Sequence, residues 1–400
     1  DQLMPREKPQ LVVLSFDGFR YDYINKYSTP NFDSIAENGV YAPLGYLSTF
    51  STKTFSTHWT IATGLFEESH GIIDNTFYDP ILNETFERGM NFQRFFGGEP
   101  IWVTAKKQAK RANIIHWPGS SVNFSGITPD FYFEKYSKEP TLEARLNKIL
   151  KWIDDGVDLS MSYFYQPDLA GHKHGVFSKA VKEEVSKVDE ILGNFLKELS
   201  KTNRRRNVNL IVLADHGMAN VTGEKHTIIA LKDYLNFDEE VEMVPQYGPV
   251  GSVLPKLGKL DIVYQKLKNA HPNMTVYLKP DIPERFHYRN NPRIMPIVAI
   301  ADEGFVIQKD HRKPKKIGWH GYDNKYLSMH PIFFAQGPSF KTNYQVKPFD
   351  AVNLYSLFCN LLKINPAPNN GSLTSVQDML KDRSFRLKFP LNFLPLQNAF

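Results

Sequence analysis

Three apolar runs of the chain each lead into an aspartate. Two of them, LVVLSF and LIVLA, are followed directly by Asp17 and Asp215, and the third, LSMSYFY, reaches Asp168 after two further residues. Short continuous apolar runs separated by helical segments are typical of buried parallel strands. Ligand chemistry in an open parallel sheet lies outside the carboxyl ends of its strands. The sequence therefore predicts three carboxylates at one edge of a sheet.

A single aspartate at a strand end is commonly a cap for the helix that follows. Three carboxylates at one edge would repel one another unless a cation held them together. Histidines stand close in sequence to two of the three aspartates, which strengthens the case for a cation. The pattern therefore favours a metal site over three separate helix caps.

The histidines have spacings that suit metal binding. Asp168 and His172 are four residues apart, so one helical turn or a tight loop brings both to the same ion. Asp215 and His216 are adjacent and share an ion only where the backbone turns sharply at a strand end. His320 lies in the glycine-containing loop GWHGYDN. Oxygen and nitrogen ligands without cysteine suit two zinc-like ions.

The segment STKTFSTH, residues 51–58, offers hydroxyl groups beside the start of a helix predicted at 54–63. The free N–H groups and the dipole at a helix start favour an anion, such as an alkoxide or a phosphate oxygen. A threonine hydroxyl is a poor nucleophile unless a metal ion promotes its deprotonation. Because serine and threonine are also common helix caps, the pattern does not choose between Thr52 and Thr54.

Composition places the chain among ordinary soluble globular proteins. Its 400 residues are 42% hydrophobic and 23% charged, enough for one large α/β domain or two smaller ones. The net charge of +5 comes without an aromatic-interleaved basic surface, so no nucleic-acid polymer is expected as a partner. The single cysteine, Cys359, excludes an internal disulfide and a cysteine-based zinc site.

The order of elements predicts an α/β fold with a mostly parallel sheet and right-handed crossovers. We expect one catalytic domain over residues 1–400, with a looser insertion at about 230–320 that could form a small antiparallel layer. A further core strand is predicted at 331–335. Helices are predicted at 30–39, 54–63, 141–153 and, as the longest, 181–199.

The cellular setting is indicated by weak signals. Five glycosylation sequons favour secretion modestly, and they begin at Asn83, Asn123, Asn220, Asn273 and Asn370. The chain contains no signal peptide and no apolar stretch of about 18 residues that could span a bilayer. We therefore expect a trimmed or mature segment whose membrane anchor, if there is one, lies outside this chain.

The motifs together closely resemble the ectonucleotide pyrophosphatase/phosphodiesterase family of the alkaline-phosphatase-like superfamily. The resemblance covers nearly the whole chain and rests on SFDGFR, TKTF, TGLFEESHGIIDN, PDLAGHKHG, ADHGM and GWHGYDN. The segments VLPK, NMTVYLKPDIPERFHY and IVAIADEGF resemble most the short, membrane-anchored members without additional domains.

The resemblance implies an alkaline-phosphatase-like fold with two zinc ions. One zinc is held by Asp17, Thr54, Asp215 and His216, and the other by Asp168, His172 and His320. The resemblance also selects Thr54 as the nucleophile and Asn75 as a side-chain donor to a phosphate oxygen. Family members that bind nucleotides stack the base between aromatics that match Phe55 and Tyr136. Lys106, Trp117 and Tyr163 match further positions in the substrate pocket.

The activity implied is hydrolysis of ATP, dinucleoside polyphosphates or NAD to a nucleoside 5′-monophosphate through a phospho-threonine intermediate. The resemblance places such an enzyme at the extracellular face of the plasma membrane or in the secreted fraction, and we expect a monomer. Three departures from the family pattern concern the pocket. Ser56 and Thr57 replace Pro-Asn, which is expected to alter the pocket rim, Gln166 replaces an acidic residue, and Ser121 replaces an aspartate linked to adenine preference.

Two alternatives remain at this stage. A phospholipid or choline phosphodiesterase would use the same metals with a different pocket, an aromatic and acidic cage for choline. A catalytically silent, zinc-bound ectodomain would keep the ligands for structure alone. A sulfatase is disfavoured because the chain contains no Cys-x-Pro-x-Arg segment.

Overall fold

The structure is a computed structural model that describes residues 9–201 and 204–381. Its strands are β1 Gln10–Phe16, β2 Val40–Tyr41, β3 Thr76–Asp79, β4 Glu84–Glu87, β5 Ala112–Ile115, β6 Leu159–Phe164, β7 Val208–Leu213, β8 Ala219–Asn220, β9 Ile228–Ala230, β10 Val241–Gln246, β11 Val250–Pro255, β12 Met274–Leu278, β13 Ile297–Ala301, β14 Val306–Gln308, β15 Gly318–Trp319, β16 Phe333–Gln336 and β17 Tyr344–Gln345. Its helices are α1 Tyr23–Lys26, α2 Pro30–Asn38, α3 Thr54–Thr63, α4 Glu67–His70, α5 Ile101–Lys107, α6 Leu142–Asp154, α7 Asp168–His174, α8 Lys179–Ser200, α9 Arg204–Asn207, α10 Phe237–Glu240, α11 Leu260–Leu267 and α12 Leu354–Leu362.

A central sheet runs in the order β17-β2-β16-β7-β1-β6-β5. Four neighbouring strands, β7, β1, β6 and β5, are parallel, and β16 runs antiparallel to β7. The carboxyl ends of β1, β6 and β7 therefore meet at one edge. The predicted fold class, α/β with a mostly parallel sheet, is confirmed.

The central strand β1 is buried on both faces, which explains its continuous apolar run. Leu11 and Val13 pack into one core together with α3, α5 and α12. Val12 and Leu14 pack into a second core with α2, α6 and α8. Helices therefore cover both faces, and only the strand ends are left open for ligand chemistry.

The predicted helices are found with small shifts in their ends. Helix α3 occupies residues 54–63 as predicted and stops at Gly64, whose φ of +68° suits a left-handed helix end. Helix α6 shifts by one residue, and α8 extends the longest predicted helix at both ends. The start of α3 thus places its first residue, Thr54, beside the sheet edge.

A second sheet lies within the segment predicted as an insertion. It is antiparallel, with the order β10-β11-β13-β12 and a small core of its own that includes Val253, Val263 and Ile297. The turn between β10 and β11 is fixed to β14, since the N–H of Gly248 lies 2.9 Å from the carbonyl oxygen of Ile307. This attachment brings the turn to the edge of the main sheet's ligand-binding side.

None of the helices in the described ranges has both the length and the apolar character that crossing a bilayer would require.

Replacing Asp189 with alanine should lower the free energy of unfolding by about 1–3 kcal/mol. The Asp189 carboxylate on α8 accepts the N–H groups of Asn31 (3.1 Å) and Phe32 (3.0 Å) at the start of α2, and these would lose their acceptor. Glu190→Ala, at the exposed neighbouring position, should change stability by less than about 0.5 kcal/mol. Denaturant unfolding measures both, and equal losses for the two variants would contradict this role.

Candidate active site

The three predicted carboxylates do meet at the sheet edge. The backbone ties two of them together, because the N–H of Asp168 donates to the carbonyl of Asp17 at 2.9 Å. The third joins them through Gly18, whose N–H lies 3.1 Å from Oδ1 of Asp215. The glycine has a φ of +68°, and a Cβ there would lie 2.8 Å from Asp168. A glycine is therefore required for this close approach.

The first ligand group consists of Asp17, Asp215 and His216, all buried. Nε2 of His216 lies 3.2 Å from Oδ1 of Asp17 and 3.2 Å from Oδ2 of Asp215. Thr54 completes the predicted set, since its Oγ1 lies 3.3 Å from the same Nε2. These four side chains come from three separate elements and converge on one small volume.

The second ligand group consists of Asp168, His172 and His320. Oδ1 of Asp168 lies 3.3 Å from Nε2 of His172 and 3.6 Å from Nε2 of His320. The two groups adjoin, because the rings of His216 and His320 stack at a centroid distance of 3.5 Å. All seven predicted ligands are therefore brought together in two neighbouring groups.

The backbone orients the three ligand histidines. The Nδ1 atoms of His172, His216 and His320 lie 2.7, 2.8 and 2.8 Å from the carbonyl oxygens of Gly318, Gly217 and Thr52. An Nδ1–H that donates to a carbonyl leaves Nε2 as the lone-pair donor, which is the usual arrangement around a metal. In each case Nε2 is the atom that faces the carboxylates.

Unpartnered oxygens test whether the residues fit a cation. Oδ1 of Asp17, Oδ1 of Asp168 and Oδ2 of Asp215 are buried and have no hydrogen-bond partner among the described residues. Such orphan acceptors are costly unless something satisfies them. Each of these oxygens is also the atom that faces a histidine Nε2 in its group. The residues therefore fit divalent cations that take oxygen and nitrogen ligands.

The electrostatics of the cluster point the same way. Burial and the charge of Asp215 raise the pKa of Asp17 to about 6, and burial raises the pKa of Asp168 to about 6. Burial acts in the same direction on Asp215, but the neighbouring His216 brings its pKa below the ordinary value. Burial also lowers the pKa of His320, which keeps its ring neutral. Negative charge on Asp17 and Asp168 is thus costly in the absence of a cation.

The geometry separates the two candidate nucleophiles. Thr52 is engaged on both sides, since its Oγ1 lies 3.1 Å from the carbonyl oxygen of Tyr322 and accepts the N–H of Gly321 at 2.8 Å. Thr54 Oγ1 instead faces His216 of the first ligand group. The arrangement therefore favours Thr54.

Asn75 is held by the start of α3. Its Oδ1 accepts the N–H of Phe55 at 2.9 Å, which leaves its NH₂ group as the end available to a ligand. The preceding residue, Asp74, lies 3.9 Å from the ammonium of Lys53. Asn75 therefore sits beside the residue that follows Thr54, where a donor to a bound anion is useful.

A cavity of about 880 Å³ opens onto both ligand groups. The lining includes four of the five residues that the resemblance assigned to substrate binding, namely Phe55, Trp117, Tyr136 and Tyr163. Lys106 does not belong to the described lining, because its ammonium lies 2.6 Å from Asp130 in an ion pair elsewhere. The geometry gives no support to a direct substrate contact by Lys106.

The departures from the family pattern fall at different depths. Ser56 and Thr57 are completely buried inside α3, so the expectation that they alter the pocket rim is wrong. Gln166 accepts the N–H of Ala170 at 3.0 Å and thereby supports the start of α7. Ser121 lines the cavity, where an altered side chain can affect a bound base.

His58 is a residue near the site that the sequence analysis did not identify. Its Nδ1 lies 2.7 Å from the carbonyl oxygen of Thr54 and 3.5 Å from Oδ2 of Asp215, and its Nε2 lies 2.8 Å from Ser15 Oγ. It therefore links α3, β1 and the end of β7. Its place four residues after Thr54 is the signal that could have identified it.

Arg145 was also missed, although it supports the cavity wall. This fully buried guanidinium donates to the backbone carbonyls of Ser137, Lys138, Pro140 and Tyr163. The segment 133–140 carries Tyr136 on its exposed side. Arg145 thus fixes an irregular segment that sequence patterns do not describe.

Comparison with known proteins shows which family this chain resembles. The family model described as type I phosphodiesterase / nucleotide pyrophosphatase matches residues 11–323. Human ectonucleotide pyrophosphatase/phosphodiesterase family member 5 is 40% identical over 380 residues, 94% of this chain and 78% of that protein. Human bis(5′-adenosyl)-triphosphatase ENPP4 is 37% identical over 382 residues, 94% of this chain and 83% of that protein.

Solved structures of related proteins are similar to this chain over nearly its whole length. Murine ENPP5, as an inactive threonine-to-alanine variant in complex with AMP, matches with a TM-score of 0.88 and 41% identity. The match covers 94% of this chain and 100% of that chain. Human ENPP5 matches with a TM-score of 0.88 and 38% identity, over 93% of this chain and 100% of that chain.

Metal analysis of purified protein should distinguish His172 from its neighbour His174. We expect about two divalent ions per wild-type chain and about one in His172→Ala, since one ligand of the second group is lost. His174→Ala, at an exposed position on the same helix, should keep both ions. Plasma mass spectrometry after dialysis measures the content. Equal metal content in the two variants would contradict the second ligand group.

Proposed function

The chain belongs to the type I phosphodiesterase / nucleotide pyrophosphatase family, and from this premise we propose that it is a zinc-dependent hydrolase of nucleotide phosphodiester or pyrophosphate bonds. The proposed product is a nucleoside 5′-monophosphate. One observation carries the proposal: two groups of buried oxygen and nitrogen ligands adjoin each other beside the hydroxyl of Thr54.

Similar proteins support a nucleotide as the substrate. Human ENPP4 is named a bis(5′-adenosyl)-triphosphatase, and the murine ENPP5 structure contains AMP. The inactive murine form carries a threonine-to-alanine change. We therefore take ATP, dinucleoside polyphosphates and NAD as the candidate substrates of this chain.

The two ligand groups would hold two zinc ions. Asp17, Thr54, Asp215 and His216 would bind the first, and Asp168, His172 and His320 the second. Bound there, the ions would neutralise phosphate oxygens and lower the pKa of a coordinated hydroxyl or water. The chain contributes the buried carboxylates that attract the ions and the backbone carbonyls that keep each histidine in place.

Thr54 is the nucleophile of the proposed reaction. Its Oγ1 forms a bond to phosphorus while the bond from phosphorus to the leaving oxygen breaks, and the hydroxyl proton passes to solvent. The leaving group departs with the electron pair of the broken bond. Water then attacks the phospho-threonine, the bond from phosphorus to Oγ1 breaks, and Thr54 regains a proton as the nucleotide is released.

Asn75 and the start of α3 stabilise the phosphate during both steps. The Asn75 NH₂ group is directed by the bond from its oxygen to the N–H of Phe55, so it can donate to a phosphate oxygen without reorganisation. The dipole of the ten-residue helix α3 adds favourable charge at Thr54. These contacts are made by groups that the fold already holds in position.

The charges around the cavity favour a polyanionic nucleotide over a choline ester. The lining includes several cations: Lys53, Arg88, Lys138, Lys173, Lys315 and Lys316. Apart from the ligand aspartates, its carboxylates are Asp74, which lies beside Lys53, and Glu134. A choline cage requires acidic groups around aromatic rings, whereas cations are suited to several phosphates.

A catalytically silent, zinc-bound ectodomain is disfavoured by the completeness of the site. All seven candidate ligand positions carry the expected residue types, and the hydroxyl of Thr54 faces the first group. Five of the seven line an open cavity: Asp17, Thr54, Asp168, His172 and His320. A purely structural metal site needs neither the cavity nor the free hydroxyl.

We also propose an extracellular setting, either secreted or at the plasma membrane with an anchor outside this chain, and a monomeric state. The sequons support this setting, since Asn83, Asn123, Asn220 and Asn370 are exposed and Asn273 is half-buried. An exposed asparagine side chain is accessible for glycosylation.

Thr54→Ala should reduce turnover of a nucleotide phosphodiester by at least about 1,000-fold, because the covalent step loses its nucleophile. Its metal content and thermal unfolding should stay close to those of wild type. The matched Thr52→Val variant, which removes a structural hydroxyl, should lose stability but keep measurable turnover. Initial rates with zinc present test this prediction, and retained activity in Thr54→Ala would place the nucleophile elsewhere.

Two substrates that release the same leaving group should distinguish a nucleotide phosphodiesterase from a choline phosphodiesterase. We expect kcat/KM for the p-nitrophenyl ester of thymidine 5′-monophosphate to exceed that for p-nitrophenyl phosphocholine by at least about 100-fold, because the cationic lining repels choline. Release of p-nitrophenol measures both rates. A preference for the choline ester would favour the phospholipid alternative, and no turnover of either by zinc-loaded protein would favour the silent ectodomain.

A further inference from the structure

Glu67 is a fully buried residue that the proposed reaction does not use. It is the first residue of α4, and none of its surface is exposed. Neither of its side-chain oxygens has a hydrogen-bond partner among the described residues. A buried carboxyl is costly unless neighbouring groups satisfy it, so the groups around Glu67 indicate what it does.

The packing of α4 against α3 brings Glu67 to Ser56. Nε2 of His70 lies 2.9 Å from Oγ1 of Thr60, which joins the two helices. One turn earlier, the same face of α3 carries Ser56 and the same face of α4 carries Glu67. The Ser56 hydroxyl is buried and, like the carboxyl, has no partner in the described part of the chain. These two unsatisfied groups therefore face each other.

The charge state of Glu67 follows from its burial and its neighbours. Burial raises the pKa of Glu67 well above its ordinary value, and the Ser56 hydroxyl opposes this only in part. The charge of Asp74 raises the pKa further, whereas the Lys53 ammonium and the backbone N–H of Ser51 lower it. Burial thus favours the neutral acid, which has one O–H donor and one carbonyl acceptor.

The groups that face Glu67 lie on both sides of Thr54. Ser51 stands three residues before it and Ser56 two residues after it. Between them the chain turns sharply into α3, and the N–H of Lys53 donates to the carbonyl of Ser51 at 2.7 Å. A neutral carboxyl matches both ends of this segment, because its carbonyl oxygen accepts an N–H and its O–H donates to a hydroxyl.

We propose that Glu67 is a positioning residue for Thr54, which it holds in place by bridging, as a neutral acid, the two ends of segment 51–56. The inference rests on the proposed function and adds a residue to that site. Glu67 is not among the described residues that line the cavity, so it acts through the segment and not on the substrate. The bridge also gives Ser56, a departure from the family pattern, a role away from the pocket rim.

The first experiment compares two replacements of Glu67 by the steady-state kinetics of the p-nitrophenyl ester of thymidine 5′-monophosphate. Glu67→Gln keeps one donor and one acceptor, so kcat should stay within about 3-fold of wild type. Glu67→Met fills a similar volume without either group. It should lower kcat by about 10- to 100-fold with little change in KM, because a displaced nucleophile slows the chemical step more than binding. Metal content, measured for each variant, should equal that of wild type.

Glu68 provides the matched control, because it is the next residue of the same helix. Its Oε2 accepts the N–H groups of Arg289 and Asn290, each at 2.9 Å, and neither belongs to segment 51–56. Glu68→Met should therefore lower the unfolding temperature but keep kcat within about 3-fold. The same outcome for Glu67→Met, with stability lost and kcat kept, would overturn the proposal.

Ser56→Ala tests the other end of the bridge. Alone it should lower kcat by about 3- to 10-fold, and in combination with Glu67→Met it should add no further loss, because both variants remove one shared contact. Should Glu67→Met fail to fold, Ser56→Ala decides the result, and a wild-type kcat would then overturn the proposal.

Two other outcomes would overturn the neutral bridge. One is a pair of losses from Ser56→Ala and Glu67→Met that multiply, and the other is an equal loss in Glu67→Gln and Glu67→Met, which would indicate a charge pair with Lys53. Both leave the proposed function intact, since wild-type protein is active in each. Wild-type protein that turns over no nucleotide ester would overturn the proposed function itself.

Discussion

Repulsion among three buried carboxylates is the constraint on which the rest of the site depends. Asp17, Asp168 and Asp215 are brought together by the parallel pairing of β1 with β6 and β7, which places their strand ends side by side. Each keeps a buried oxygen without a hydrogen-bond partner in the described structure. A cation bound there would remove this penalty, so the fold and the ion would stabilise each other.

The same constraint determines where Thr54, the proposed nucleophile, lies. Helix α3 must begin close to the carboxylates, because His58 on this helix lies 3.5 Å from Asp215 while bonding to Ser15 of β1. With His58 in place, the first residue of the helix, Thr54, faces the first ligand group. The proposed nucleophile is therefore positioned by the hydrogen bonds of His58, one helical turn further along α3, as well as by the contact of its own side chain.

Local patterns predicted the helix that starts at Thr54 and the α/β class, and together with the family resemblance they named the seven candidate ligands that the structure brings together. Arg145 was not predictable, because its partners are backbone carbonyls of an irregular segment. The role given to Lys106 came from family resemblance alone, and its ion pair with Asp130 depends on tertiary packing. Strand β5 was missed because it is only four residues long and includes the polar Asn113.

The candidate metal ligands and the cavity wall lie on different kinds of structure. The ligands stand on strand ends and on helices packed against a core, where positions are fixed to a fraction of an ångström. The wall comes from segment 133–140, the turn after β10 and the loop before β15, which are held by a few hydrogen bonds. Such segments can change without disturbing the carboxylate cluster. The proposed chemistry therefore depends on the sheet edge, whereas the proposed choice of substrate depends on the irregular segments of the cavity wall.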